Sequence, residues 1–261
     1  MKVLFYFVFF LFFIYFIGAF YLYLIQDKKV FQRHYAKEYS PKTAKKIFFT
    51  TTDGINLEGA YLENKKDAPL VLYFSGNANN VIEFIDNIAP KLKNYNFLGF
   101  NYPGYAGSEG KPCEECILKY ALEIYDKYKP DIVMGRSLGT AVASFVASKR
   151  DVKGVVLITP FDSIENIAKL RYPIFPVSLL LKHKFKEYEF ISKTNAPVVV
   201  VALKHDDIIP QKSLENLLKH IKNLKRVIYF DNIRHGFIYE HPDIVKILNR
   251  ALKEVSGSDF I

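Results

Sequence analysis

Hydrophobic positions along this chain fall into two regimes. In residues 3–25 every position except Gly18 is hydrophobic and none is charged. A helix of that length spans a hydrocarbon layer of roughly 30 Å. A cleaved signal peptide would carry a shorter apolar stretch ending at a small-residue site. Here Gly18-Ala19 runs on into Phe20 and further apolar residues, so the stretch reads as a retained membrane anchor. Tyr15, Tyr21 and Tyr23 suit an interfacial aromatic belt.

Beyond residue 26 the pattern changes to short apolar runs separated by polar turns. Residues 26–46 are polar and basic. Two β-rich runs then flank Asp53-Gly54, which predicts a hairpin. Continuous apolar runs near 69–74, 96–100, 131–134, 154–159, 197–203 and 225–230 predict strands. Amphipathic stretches near 81–92, 112–128, 212–221 and 242–255 predict helices between them. Strands that are apolar on both faces belong to a sheet covered by helices on both sides. The expected fold class is therefore α/β, a mostly parallel doubly wound sheet led by an N-terminal β-hairpin and one transmembrane helix. The expected organisation is an anchor over residues 1–26, a connector over 27–46 and an α/β domain over 47–261, with a candidate lid at 163–195.

The charge adds a partner class. Lys and Arg number 36 against 27 acidic residues, a formal net charge of +9. The basic residues are scattered and no nucleic-acid motif accompanies them, which favours attraction to anionic lipid over nucleic-acid binding. Lys28, Lys29, Arg33 and Lys37 follow the anchor while only Lys2 and the amino terminus precede it, so the positive-inside rule points to a cytoplasmic globular domain. The only cysteines, Cys113 and Cys116, exclude a disulfide framework. As a Cys-x-x-Cys at a predicted helix start they are either a redox pair or simply the beginning of an apolar helix face. The second reading is preferred because no further ligand pair is present.

The chemistry centres on Gly135-Arg136-Ser137-Leu138-Gly139, which follows a predicted strand and precedes a small-residue helix. A serine held in such a turn sits in strained backbone, and glycines on both sides relieve the crowding. Serine alone is a weak nucleophile; it needs a base and a carboxylate that orients the base. His235, in Arg234-His235-Gly236 after the last predicted strand, is the candidate base, with His241 as the fallback. Asp206 is the candidate acid, ahead of Asp207 and, more distantly, Asp162. All three candidate groups fall just beyond strand ends, where ligands sit in such sheets. Backbone N–H groups of Leu138 and of Asn77, in the loop after an earlier strand, are the candidate oxyanion donors.

These stretches, together with Phe74-Ser75-Gly76-Asn77, Asn101-Tyr102-Pro103-Gly104-Tyr105-Ala106-Gly107-Ser108-Glu109-Gly110, Pro160-Phe161-Asp162-Ser163-Ile164 and Asp206-Asp207-Ile208-Ile209-Pro210, resemble the α/β-hydrolase superfamily. Within it the chain looks like the membrane-anchored serine hydrolases related to acyl-protein depalmitoylases. Where that family has His-Gly-Asn, this chain has Ser75-Gly76-Asn77. The resemblance implies a Ser137–Asp206–His235 triad, an acyl-enzyme, ester or thioester substrates such as lipids or acylated proteins, and no metal or organic cofactor. An aminopeptidase or other amidase would use the same triad. A non-catalytic binding protein on this fold would lack a triad member.

Overall fold

The computed structural model describes residues 1–257; residues 258–261 of the expected α/β domain lie outside the described residues. In chain order the elements are helix α1 (Lys2–Val30), strands β1 (Lys45–Thr50), β2 (Asn56–Leu62) and β3 (Leu70–Phe74), helix α2 (Val81–Asn87), strand β4 (Asn96–Phe100), helix α3 (Glu114–Tyr128), strand β5 (Ile132–Arg136) and helix α4 (Leu138–Lys149). Strand β6 (Gly154–Ile158), three short helices α5 (Ile164–Arg171), α6 (Val177–Leu180) and α7 (Glu187–Ile191), strand β7 (Val198–Leu203), helix α8 (Gln211–Leu218), strand β8 (Leu224–Phe230) and helix α9 (Ile244–Ser256) complete it.

Eight strands form one sheet in the order β1-β2-β4-β3-β5-β6-β7-β8. The β1–β2 and β2–β4 pairs are antiparallel, and every pair from β4 onward is parallel. The hairpin turns at Gly54, whose φ of 79° suits glycine. The central strands are buried on both faces, and Val198, Val199, Val200 and Val201 are each fully inaccessible. Burying one such valine contributes about 1.5 kcal/mol or more relative to exposure. One core layer packs α3, α4 and α8 against the sheet; the other packs α2 and α9. This mostly parallel, two-sided arrangement is the one the apolar runs predicted.

Local departures have local causes. The helix expected over 81–92 ends at Asn87 and continues as a 3-10 turn over Ala89–Lys91, because Pro90 cannot donate to a regular turn. Helix α1 runs past Ile25 to Val30, into residues expected as a connector. Cys113 and Cys116, preferred from the sequence as the plain start of an apolar helix face, are bonded to each other. Cys113 caps α3, and its sulfur accepts the Cys116 N–H. The first turn of the helix brings their Cα atoms to 5.2 Å, within bonding range.

Candidate active site

Ser137 stands between β5 and α4 with φ 48° and ψ −120°, a conformation that costs a non-glycine residue on the order of 1–3 kcal/mol. Its N–H donates to the Ile158 carbonyl at 2.8 Å, and its own carbonyl accepts from the Thr140 N–H and hydroxyl at 2.8 and 2.6 Å. The flanking glycines answer a need for space. A Cβ on Gly135 would lie 2.2 Å from the Gly139 carbonyl oxygen, and one on Gly139 would lie 2.2 Å from that of Phe74. No side chain fits at either position while the turn keeps its shape.

The loop after β7 carries Asp206. Its carboxylate faces the His235 Nδ1 at 2.9 and 3.1 Å and accepts the N–H groups of Ile208 and Ile209, each at 2.8 Å. Burial pushes this carboxyl upward. The hydrogen bond and charge of His235, with the two backbone donors, outweigh that and hold it below the ordinary carboxylate range. With the Nδ1 proton directed at Asp206, the His235 Nε2 is left as an acceptor. His235 begins the 3-10 turn after β8 and is 6% exposed.

The neighbouring acids are separated by what they touch. Asp207 accepts the backbone N–H of His235 at 2.9 Å and so holds the loop rather than the ring. Asp162 is saturated by Ser163, Asn166, Ser213 and Asn216 and bonds no histidine. The fallback His241 accepts the Asp243 N–H and packs on Phe230.

Ser137 and His235 line one cavity of about 690 Å³, together with Asn77 and Leu138. That volume suits a ligand of drug or lipid-fragment size. The backbone N–H groups of Asn77 and Leu138 have no hydrogen-bond partner among the described residues. The Asn77 loop is fixed from behind. Tyr102 donates its hydroxyl to the Ser75 carbonyl at 2.7 Å, and Tyr105 donates to that of Asn77 at 3.0 Å. From the other side the Asn77 amide donates to the Val30 carbonyl at the end of α1.

Two residues that sequence reasoning passed over bind these parts together. Arg136, 4% exposed, donates to the carbonyls of His235 and Gly236 at 2.8 and 3.2 Å and to the Asn79 side chain. Its guanidinium also lies 5.2 Å from the centre of the Tyr239 ring. One arginine therefore ties the serine turn to the histidine loop and to the loop after β3. The only sequence signal was a charged residue closing a fully apolar strand.

Glu187 is the second. It is fully buried beneath α4, with Thr140 Oγ1 at 2.6 Å and Ser144 Oγ at 3.1 Å. Burial pushes its carboxyl up to about 8. The Thr140 hydroxyl has a single proton and lies 2.6 Å from both the Ser137 carbonyl and Glu187. A neutral Glu187 satisfies both contacts: it donates to Thr140, and Thr140 donates to Ser137.

The segment 163–195 forms the far wall, where Ile164, Ile167, Tyr172, Phe175 and Leu180 face the cavity. Leu22, Tyr23, Gln26 and Lys29 of α1 line the same space.

No protein-family model matches the chain. It is similar to a Saccharomyces cerevisiae protein described as a membrane protein, YNL320W, at 27% identity over 70% of each chain. It is also similar to the lysophosphatidylserine lipase ABHD12 of Danio rerio, at 25% identity over 71% of this chain and 58% of that one. Among solved structures, the Pyrococcus furiosus esterase Pf2001 superposes with a TM-score of 0.65 at 17% identity, covering 85% of this chain and 96% of the esterase. The chain has the α/β-hydrolase fold.

Proposed function

We propose that the protein is a membrane-anchored serine hydrolase that cleaves ester or thioester bonds through an acyl-enzyme. The observation that carries this reading is the Asp206–His235 contact just beyond strand ends, with His235 lining the same cavity as the strained Ser137. Ser137 Oγ attacks the acyl carbonyl while the His235 Nε2 takes its proton. Asp206 stabilises the imidazolium that forms. The Asn77 and Leu138 N–H groups receive the developing oxyanion. His235 then returns the proton to the departing alcohol or thiol, and a water activated by the same imidazole releases the acid. The chemistry asks only for groups of this chain and water.

The names of relatives lend support on substrate and location. A lipase and an esterase on this fold favour acyl esters, and a relative described as a membrane protein favours retention of α1 as an anchor. The basic residues in the last turn of α1 and just beyond it favour a cytoplasmic domain. Protease protection in sealed vesicles checks that side.

The decisive test is labelling by a fluorophosphonate probe. The wild type is expected to be labelled and Ser137→Ala is not. Equal labelling of both would end the assignment.

A further inference from the structure

The 163–195 segment is bound to α1 at three levels. The Tyr172 ring faces the Lys29 ammonium at 5.9 Å. Further along, Phe175 stacks on Tyr15 with ring centres 5.3 Å apart, and the Tyr15 hydroxyl donates to the Ile174 carbonyl at 3.1 Å. The return passes Gln26, which donates to the Leu180 carbonyl at 3.1 Å and accepts the Lys182 N–H at 2.8 Å. The chain therefore descends along α1 from Lys29 to Tyr15 and climbs back to Gln26. Residues 15–25 of α1 rise about 15 Å, half of a hydrocarbon layer roughly 30 Å thick.

Three further features fit a lipid environment at that depth. Ile174 and Leu179 point outward at 71% and 83% exposure. Most of the backbone meets the demand of an apolar solvent: Pro173 and Pro176 have no N–H, those of Phe175, Val177, Leu179, Leu180 and Leu181 are paired within the segment, and those of Ile174 and Ser178 have no backbone partner among the described residues. Lys28, Lys29, Arg171 and Lys182 collect where the apolar run of α1 ends, the level of lipid headgroups. Inward, the same two elements present Leu22, Tyr23, Phe175 and Leu180 to the cavity of Ser137.

We propose that α1 and residues 172–181 form one re-entrant unit seated in the bilayer, whose inner face is the acyl-binding wall, so that a membrane-resident long-chain acyl amphiphile enters the cavity sideways from the leaflet. This rests on the reading of the protein as a membrane-anchored serine hydrolase. It makes α1 part of the substrate site as well as a tether.

The chain contains no tryptophan, so a single introduced one reports its own surroundings. The full chain is reconstituted in phosphatidylcholine–phosphatidylglycerol vesicles as Ile174→Trp, Leu179→Trp or, on the exposed outer face of β1, Phe48→Trp. The first two are expected to be quenched by lipids brominated on their acyl chains and shielded from aqueous iodide; Phe48→Trp should behave oppositely. Iodide quenching at 174 and 179 overturns the proposal. So does shielding from both quenchers, which would mean that protein, such as a second copy, covers the cap. In parallel, Ile174→Asp and Leu179→Asp should lower turnover of a vesicle-borne long-chain monoacyl ester roughly tenfold while leaving a water-soluble short-chain p-nitrophenyl ester untouched. An equal fall on both esters, or no fall on either, also overturns it. If the wild type cleaves neither ester, or Ser137→Ala cleaves both, the hydrolase reading fails, and the quenching result judges the membrane seating separately.

Discussion

The cavity has two walls built on opposite principles. The sheet-side wall, from Ser137 through Arg136 to the Asp206 and His235 loops, is held by buried hydrogen bonds at specified distances. The outer wall, α1 with residues 163–195, is held by ring contacts and a few polar clasps such as Gln26, and it leaves large apolar side chains exposed. Reaction chemistry requires atoms placed to fractions of an ångström, which hydrogen bonds and close packing provide. Apolar surface is non-directional, so it suits a wall that accepts an acyl chain without dictating its exact pose. Substitutions on the sheet side should therefore act on kcat, and those on the outer side on KM and on substrate length.

The sharpest contrast lies within the sheet side. Asp206→Asn is expected to reduce kcat by on the order of 10⁴-fold, since the amide cannot fix the imidazole tautomer or stabilise its cation. Asp207→Asn, which loosens only a backbone contact of His235, should cost less than about tenfold. Steady-state kinetics on one ester separates the two, and equal losses would show that the acids share the role.

Arg136→Met should come next. Removing the tie between the serine turn and the histidine loop is expected to lower kcat about tenfold or more with KM little changed, and to lower Tm. A variant with full kcat would leave Arg136 a purely structural residue.

On the outer wall, Gln26→Ala deletes both clasps to the cap. A several-fold rise in KM for long-chain esters is expected, with kcat retained. A drop in kcat alone would erase the distinction between the walls.

The smallest effect concerns Glu187 and is read as stability against pH. The folded-state value of about 8 lies above that of an unfolded glutamate. The folded protein therefore holds a proton that the unfolded chain has released, and stability from this group falls as pH rises from about 4.5 through 8. Glu187→Gln cannot ionise and should lose this pH dependence, melting roughly 3 °C or more above the wild type near pH 8. Parallel melting curves across that range would refute a neutral Glu187.

Most of the fold was legible because its signals are local. Uninterrupted apolar runs marked buried strands, Asp53-Gly54 marked the hairpin, and Gly135 and Gly139 marked a turn with no room for a Cβ. Candidate site residues were legible for the same reason: each lies immediately after a strand, so its place along the sheet edge follows from chain order. Arg136 and Glu187 were illegible because their meaning depends on partners far along the chain. Arg136 meets carbonyls some hundred positions away, and Glu187 meets the serine helix across more than forty. The choice of Asp206 over Asp207 was weighed from the sequence, but only the turn of the loop sends one carboxylate to the ring and the other to the backbone. The disulfide likewise required the helix to bring two sulfurs together.

By itself, then, the sequence determined an apolar N-terminal helix, a parallel sheet and the serine turn, because hydrophobic period and glycine spacing act over a few residues. Only the tertiary structure decided that the helix is also a wall of the cavity. That contact joins Tyr15 to residues more than 150 positions away, and no local pattern encodes which surface an exposed apolar face will meet.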